Sequence, residues 1–194
     1  EAHESIKHIN SPEIWKNMAI MSIKTKRLDV AEICIANMKF ARGAKALREV
    51  KKDGADFEAR LATVAIQLNM IDIAEEMLKN AKRYDLLNEL YQNMNQWSKA
   101  VELTEQNDKI NLKSTYYKAA HNYELQKDYE MAIEFYEKSD TNMEEVPRML
   151  FEAGYYDRLE EYVLQKEEKG LYIFLAKFKE SKWEIDEAQR YYQK

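Results

Sequence analysis

The chain has 194 residues and a net charge of −5, with 45% hydrophobic and 34% charged residues, enough apolar material for one large domain or a stretch of a longer array. A single cysteine excludes an internal disulfide framework and a multi-cysteine zinc site, and no stretch approaches the roughly 20 apolar residues of a membrane span. Only 4 Gly and 2 Pro are present, which argues against a strand-rich fold with many punctuated turns.

The predicted elements begin at Ser11-Pro12-Glu13, where Ser as N-cap and Pro at the first helical position open a helix. Ile14, Trp15, Met18, Ala19 and Ile23 recur along it at helical spacing. A turn at 24–27 leads to a second helix with Leu28, Ala31, Ile35 and Met38 on its inner face. Cys34, between Ile33 and Ile35, reads as a small buried hydrophobe of a reduced intracellular protein. Residues 39–52 predict an additional helix with an apolar stripe of Phe40, Ala44, Leu47 and Val50.

A helix pair built on Ala62 and Ala74 follows, then one that sets Asn88 against Ala100. In the pair at 114–139, a stripe of Tyr116, Ala119, Ala120 and Tyr123 faces Tyr129, Ala132, Ile133 and Tyr136. The next pair sets Pro147, read as a helix start, against Leu159. The last pair packs Tyr172, Leu175 and Ala176 on Ile185, Ala188 and Tyr192. Gly54, Gly154 and Gly170 fall at helix ends, and the whole predicts twelve or thirteen helices and no strand.

Five helix starts carry one phrase, a bulky residue and then, after two spacers, a small one: Leu28-Asp29-Val30-Ala31, Ile71-Asp72-Ile73-Ala74, Trp97-Ser98-Lys99-Ala100, Tyr129-Glu130-Met131-Ala132 and Ile185-Asp186-Glu187-Ala188. Tyr156-Asp157-Arg158-Leu159 is a degenerate copy. The anchors Ala31, Ala74, Ala100, Ala132, Leu159 and Ala188 lie 43, 26, 32, 27 and 29 residues apart. Twelve residues before them stand Ala19, Ala62, Asn88, Ala120, Pro147 and Ala176. Paired small residues at a period near thirty are the tetratricopeptide pattern, in which each marks a close helix crossing. The fold expected is therefore all-α: one α-solenoid of about six antiparallel helix pairs over 1–194, wound as a right-handed superhelix, plus the extra basic helix.

The surface carries one concentrated feature. Residues 1–52 hold 11 basic and 6 acidic side chains, whereas 53–194 hold 19 and 29. Lys39, Arg42, Lys45, Arg48, Lys51 and Lys52 fall on one face of the extra helix, opposed by Glu49 alone. The stripe suits an acidic peptide, an anionic lipid headgroup or an acidic subunit; the plainer reading is a solvated helix face. Nucleic acid fits poorly, because the patch is one helix long and the chain is acidic. The 13 tyrosines fall mostly on helical stripes or in the pairs Tyr116-Tyr117, Tyr155-Tyr156 and Tyr191-Tyr192. One member of each pair is expected to pack inward and the other to face solvent or a groove.

No catalytic or cofactor constellation stands out. His3, His8 and His121 are scattered, no glycine-rich phosphate loop exists, and Glu75-Glu76, Glu144-Glu145 and Glu160-Glu161 read as solvated faces. The chain is expected to be no enzyme and to hold no cofactor or metal. A peptide clamp would want Lys and Asn at fixed positions on successive first helices. Lys16 and Asn17, then Glu58, Ala59 and Arg60, then Lys118 form no such series. The opening Glu1-Ala2-His3-Glu4-Ser5 has neither a basic nor an apolar signal region and no initiator Met, so the chain reads as a piece of a longer protein.

The string SPEIWKNMAIMSIKTKRLDVA at 11–31 resembles the tetratricopeptide-like region of the intraflagellar transport 140 family, core subunits of intraflagellar transport complex A. NMKFARGAKALRE at 37–49, YYKAAHNYELQKDYEMAIEFYEKSD within 112–140 and EVPRML at 145–150 extend the resemblance over most of the chain to Leu150, and it weakens after Gly154. It implies a solenoid segment of a long chain that also carries N-terminal β-propellers of WD repeats. It further implies a structural scaffold role in retrograde ciliary transport, in cilium assembly and in ciliary entry of membrane proteins. Partners are then the other complex A subunits, tubby-like adaptor proteins and membrane-protein cargo, at the cilium and its base. Architecture alone leaves open a vesicle-coat-type or general tetratricopeptide adaptor that binds peptide segments.

Overall fold

The computed structural model describes residues 11–52, 54 and 56–194, which form thirteen helices and no strand. His3 and His8 lie outside the described residues. The chain divides into two compact units, Glu1–Gln96 and Trp97–Lys194. No helix among the described residues is long and apolar enough to cross a membrane.

The first unit holds α1 (Pro12–Lys24), α2 (Leu28–Asn37), α3 (Ala41–Lys52), α4 (Phe57–Gln67), α5 (Ile71–Asn80) and α6 (Tyr84–Asn93). α1 pairs with α2 and α4 with α5, while α3 inserts between the pairs and packs on α2 and α4. Pro12 starts α1, but the Ser11 side chain makes no cap hydrogen bond. Trp15, Ile23, Ile35, Leu61, Leu78 and Leu87 fill the core. Cys34 is buried, and burial pushes its thiol up to about 11.

The second unit holds α7 (Trp97–Asn107), α8 (Leu112–Leu125), α9 (Tyr129–Lys138), α10 (Asn142–Glu152), α11 (Tyr156–Lys166), α12 (Lys169–Ser181) and α13 (Ile185–Tyr192). α8 pairs with α9, α10 with α11 and α12 with α13, and α12 also packs on both α10 and α11. Tyr136, Met149, Leu150, Leu159, Leu171 and Leu175 are wholly buried here. The unit boundary divides the pair built on Asn88 and Ala100, leaving α6 in the first unit and α7 in the second.

Ala19, Ala31, Ala62, Ala74, Ala100, Ala120, Ala132, Leu159, Ala176 and Ala188 are all buried, none more than 3% exposed. At the alanines a methyl group lets two helix axes come close, and a larger side chain would wedge them apart; Leu159 is the exception, a larger side chain wholly buried. Asn88 takes its alanine's place by folding its amide against Gln92, whose Nε2 donates to Asn88 Oδ1 at 3.0 Å.

Pro147 does not start a helix: it lies inside α10, which begins at Asn142. At the sixth position of α10 it removes the N–H that would have met the carbonyl of Met143, a bond this helix goes without.

Ten of the connections share one device. Lys26, Lys39, Asn69, Lys82, Asn95, Lys127, Asp140, Gly154, Glu167 and Trp183 all have positive φ, and each stands two positions before a helix start. In nine of these turns the N–H of the slot residue bonds three residues back and the next N–H bonds five back, as in Lys26 to Ile23 and Arg27 to Ser22. That is the Schellman arrangement, which satisfies two carbonyls a helix end leaves orphaned. The tenth turn, at Glu167, uses a single bond to Val163.

Candidate interaction surface

The basic stripe is exposed along its length: Lys39, Arg42, Lys45, Arg48, Lys51 and Lys52 all face solvent. Its geometry departs from the sequence reading in two respects. Lys39 is not on the helix. Its N–H closes α2 on Ala36 and the N–H of Phe40 reaches Ile35, so Lys39 adopts the left-handed turn conformation at φ 52. Phe40 likewise precedes α3 and lays its ring over Gly43, where an added Cβ would meet Phe40 Cδ1 at 2.7 Å.

The charge is also less unopposed than expected, because Glu32 of α2 joins Glu49 as a counter-ion. Lys51 Nζ reaches Glu32 at 2.8 Å, and Arg60 of α4 binds the other Glu32 oxygen. Burial resists charge on Glu32, but the Lys51 and Arg60 hydrogen bonds outweigh it and hold the carboxyl below its usual range. Lys45 stands 3.8 Å from Glu49, and Arg48 Nε donates to its own helix at the carbonyl of Ala44, 3.2 Å away. Lys39, Arg42 and Lys52 have no carboxylate partner among the described residues. Lys51 therefore belongs to the α2–α3–α4 junction, and the outward stripe is Lys39, Arg42, Lys45, Arg48 and Lys52.

The tyrosines are largely consumed inside the fold. The Tyr116 hydroxyl donates to Glu105 at 2.6 Å, Tyr136 to Glu124 at 2.5 Å, Tyr162 to Glu137 at 3.2 Å and Tyr191 to Glu160 at 2.6 Å. Each bond ties a ring packed in the core to a carboxylate of a neighbouring helix. Burial, reinforced by the carboxylate, pushes the hydroxyls of Tyr116 and Tyr191 up to about 12.

Two readings of the sequence are thereby corrected. Glu145 and Glu160 are structural partners rather than solvated charges: Glu145 takes Tyr117 and Arg148, and Glu160 takes Tyr191 and Lys179. The Tyr155-Tyr156 pair sends neither ring fully inward, both being exposed. Tyr155 meets Tyr129 edge-on at 5.2 Å, and Tyr156 stacks on Phe178 at 4.9 Å.

Of the positions weighed as a peptide clamp, those at 58–60 are engaged, while Lys16 and Asn17 are exposed. Glu58 pairs with Lys26 at 3.0 Å, Arg60 binds Glu32, and Ala59 is buried. Among the described residues no group of His, Cys, Asp and Glu is arranged to hold a metal ion. What the chain presents is paired helices, a cationic stripe and a partly exposed aromatic edge. Across residues 1–194 the chain matches the family model of the tetratricopeptide (TPR) domain shared by intraflagellar transport proteins 140 and 172.

Proposed function

The chain belongs to the TPR domain family of intraflagellar transport proteins 140 and 172, and on that premise we propose that it is a non-catalytic scaffold segment of intraflagellar transport complex A. In this reading it works at the cilium and its base, in retrograde transport, cilium assembly and the ciliary entry of membrane proteins. Its partners are other complex A subunits, with tubby-like adaptors and membrane-protein cargo reached through the assembly. The family match over the whole chain carries the reading, and it supports a scaffold role in intraflagellar transport directly. The exposed stripe of α3 supplies a place for an acidic surface of a neighbouring subunit, or an anionic lipid headgroup, to dock, with a contact that salt weakens.

Proximity labelling from the full-length protein in ciliated cells tests the role. Recovery of complex A subunits is expected, and recovery of vesicle-coat proteins in their place would sink it. In the same cells, reversing Arg42, Lys45 and Arg48 to Glu should leave folding nearly untouched, because exposed charges contribute little to stability. It should lower complex assembly or ciliary entry. Normal assembly, entry and transport would reduce the stripe to a solvated face.

A further inference from the structure

Arg42, Lys45 and Arg48 of α3 stand at i, i+3 and i+6, and all three are exposed. That spacing is one ridge of a helix surface, inclined to the axis, with successive charges less than a turn apart. The fold itself hardly neutralises it. Arg42 and Arg48 have no carboxylate partner among the described residues. Lys45 meets Glu49 only at 3.8 Å, with the two side chains 75% and 61% exposed, a contact that contributes little. Arg48 is moreover set in advance. Its Nε donates to the carbonyl of Ala44 at 3.2 Å, which steadies the guanidinium on its own helix and leaves both Nη groups for a carboxylate. Ordering that a partner would otherwise have to impose is already in place.

The face offers little to a bilayer. The apolar side of α3 is spent inward, with Gly43 and Leu47 buried and the helix packed on α2 and α4. Ala41 is the one apolar residue among its exposed positions. A helix that lies on a membrane inserts larger apolar side chains from the face it presents. Glu49 is exposed too, at i+4 from Lys45, so a flat plane of anionic headgroups laid over the stripe would take in a negative charge. Glu49 stands off the ridge, more than a quarter of a turn around the helix from Arg48. A rod laid along the ridge passes it by.

An α-helix is such a rod. Asp or Glu three and four positions apart on a helix repeat at about 5–6 Å, the interval of the cations here. A ridge of i±3 spacing also fits the i±4 grooves of a second helix at a shallow angle, about 20°. We propose that the ridge of Arg42, Lys45 and Arg48 docks an acidic α-helix of another protein subunit, with Asp or Glu at three- and four-residue intervals. The proposal rests on the scaffold reading, which places that subunit in the same assembly.

The test puts a photoreactive benzoylphenylalanine in the full-length protein in ciliated cells. Position 41 shares the outer face with Lys45 and Arg48 at i+4 and i+7 and removes no charge; position 89 of α6, also exposed, is the control. The partner crosslinked from 41 is purified, and its affinity is measured for full-length protein with and without Arg42→Glu plus Arg48→Glu. Arg42→Gln plus Arg48→Gln is read instead if the Glu pair lowers the melting temperature. Sedimentation with vesicles of phosphatidylserine and phosphatidylcholine in equal parts runs alongside.

A segment bearing Asp or Glu at those intervals is expected to crosslink from 41 and not from 89. The paired substitution should weaken its binding by about ten-fold or more, and changing the partner's carboxylates to Lys should restore binding to the Glu pair. A segment without the acidic series, equal labelling from both positions, unchanged affinity, or crosslinking only to a second copy of this chain would overturn the docking helix. So would vesicle binding that depends on Arg42 and Arg48 with no protein crosslinked from 41. A partner outside the transport complex that meets the criteria would uphold the docking helix and remove the scaffold reading. Complex A subunits recovered by proximity labelling, with no acidic segment crosslinked from 41, would do the reverse.

Discussion

The Arg148 guanidinium donates to Glu124 on α8 at 3.0 and 2.9 Å, and to Glu145 and Glu152 on its own helix at 2.8 and 2.9 Å. Glu124 also accepts the hydroxyl of the buried Tyr136, so one carboxylate joins three groups from α8, α9 and α10. Burial alone would raise the Glu124 carboxyl, but the Arg148 and Tyr136 bonds prevail and hold it below the ordinary range. Glu160 is held low as well, first by the Tyr191 hydroxyl, against burial, and then by Lys179. A carboxylate with a depressed folded pKa binds protons more readily in the unfolded chain. Its stabilisation is therefore full above the unfolded value, near 4, and is lost as pH falls through the folded value. Thermal melts from pH 6 down to pH 3 should show a falling midpoint. Arg148→Met should cost about 1–3 kcal/mol at pH 7, because it leaves Glu124 half-buried without its main partner, and should flatten the acid limb. A variant as stable as the parent at pH 7, with an unaltered acid limb, would show that the network contributes nothing.

At the scale of the element, the turns define where helices stop more than the helix starts do. Among the N-cap side chains described, Asp128 alone reaches a helix N–H, that of Met131 at 3.4 Å; Arg27, Met70, Arg83 and Tyr155 cap nothing. The stop is made by the left-handed residue, and nearly always without glycine. Lys127→Gly should therefore stabilise the chain by roughly 0.5–1 kcal/mol, the relief of left-handed strain exceeding the added freedom of the unfolded chain. Lys127→Val, whose branched Cβ resists positive φ, should destabilise it. Chemical denaturation of both variants decides, and the same sign for the two would refute the turn argument. The alternation of helices and the alanine at most crossings were legible in the sequence because a small residue at a fixed period has one packing meaning. The turn device was not, because Lys, Asn, Asp and Trp in the slot share no side-chain chemistry. They share a backbone angle, visible only as the recurrence of Lys or Asn two places before the bulky residue. Lys39 was misplaced on α3 for that reason, its charge matching the stripe while its backbone closes α2. Glu32 escaped notice as a counter-ion because it comes from another helix, nineteen positions from Lys51.

On the scale of the whole chain, polar contacts in Trp97–Lys194 repeat with the helix pairs. Arg158 on α11 binds Glu130 on α9, Lys166 on α11 reaches Glu137 on α9 at 2.9 Å, and Tyr191 on α13 reaches Glu160 on α11. Each spans about one repeat, so every pair is tied to the next by side chains above a continuous apolar core running from Tyr116 to Phe178. Stability in such an array is close to a sum over pairs and their neighbours, and damage stays near its origin. Leu171, wholly buried in the second unit, offers a direct probe. Leu171→Ala should cost about 2–5 kcal/mol through lost burial and an unfilled cavity. Amide hydrogen exchange should then show protection falling through α10–α13, while amides of α1–α5, whose packing lies in the other unit, keep theirs. A uniform fall over both units would mean that the chain unfolds as one cooperative body, and that the division between Gln96 and Trp97 has no energetic counterpart.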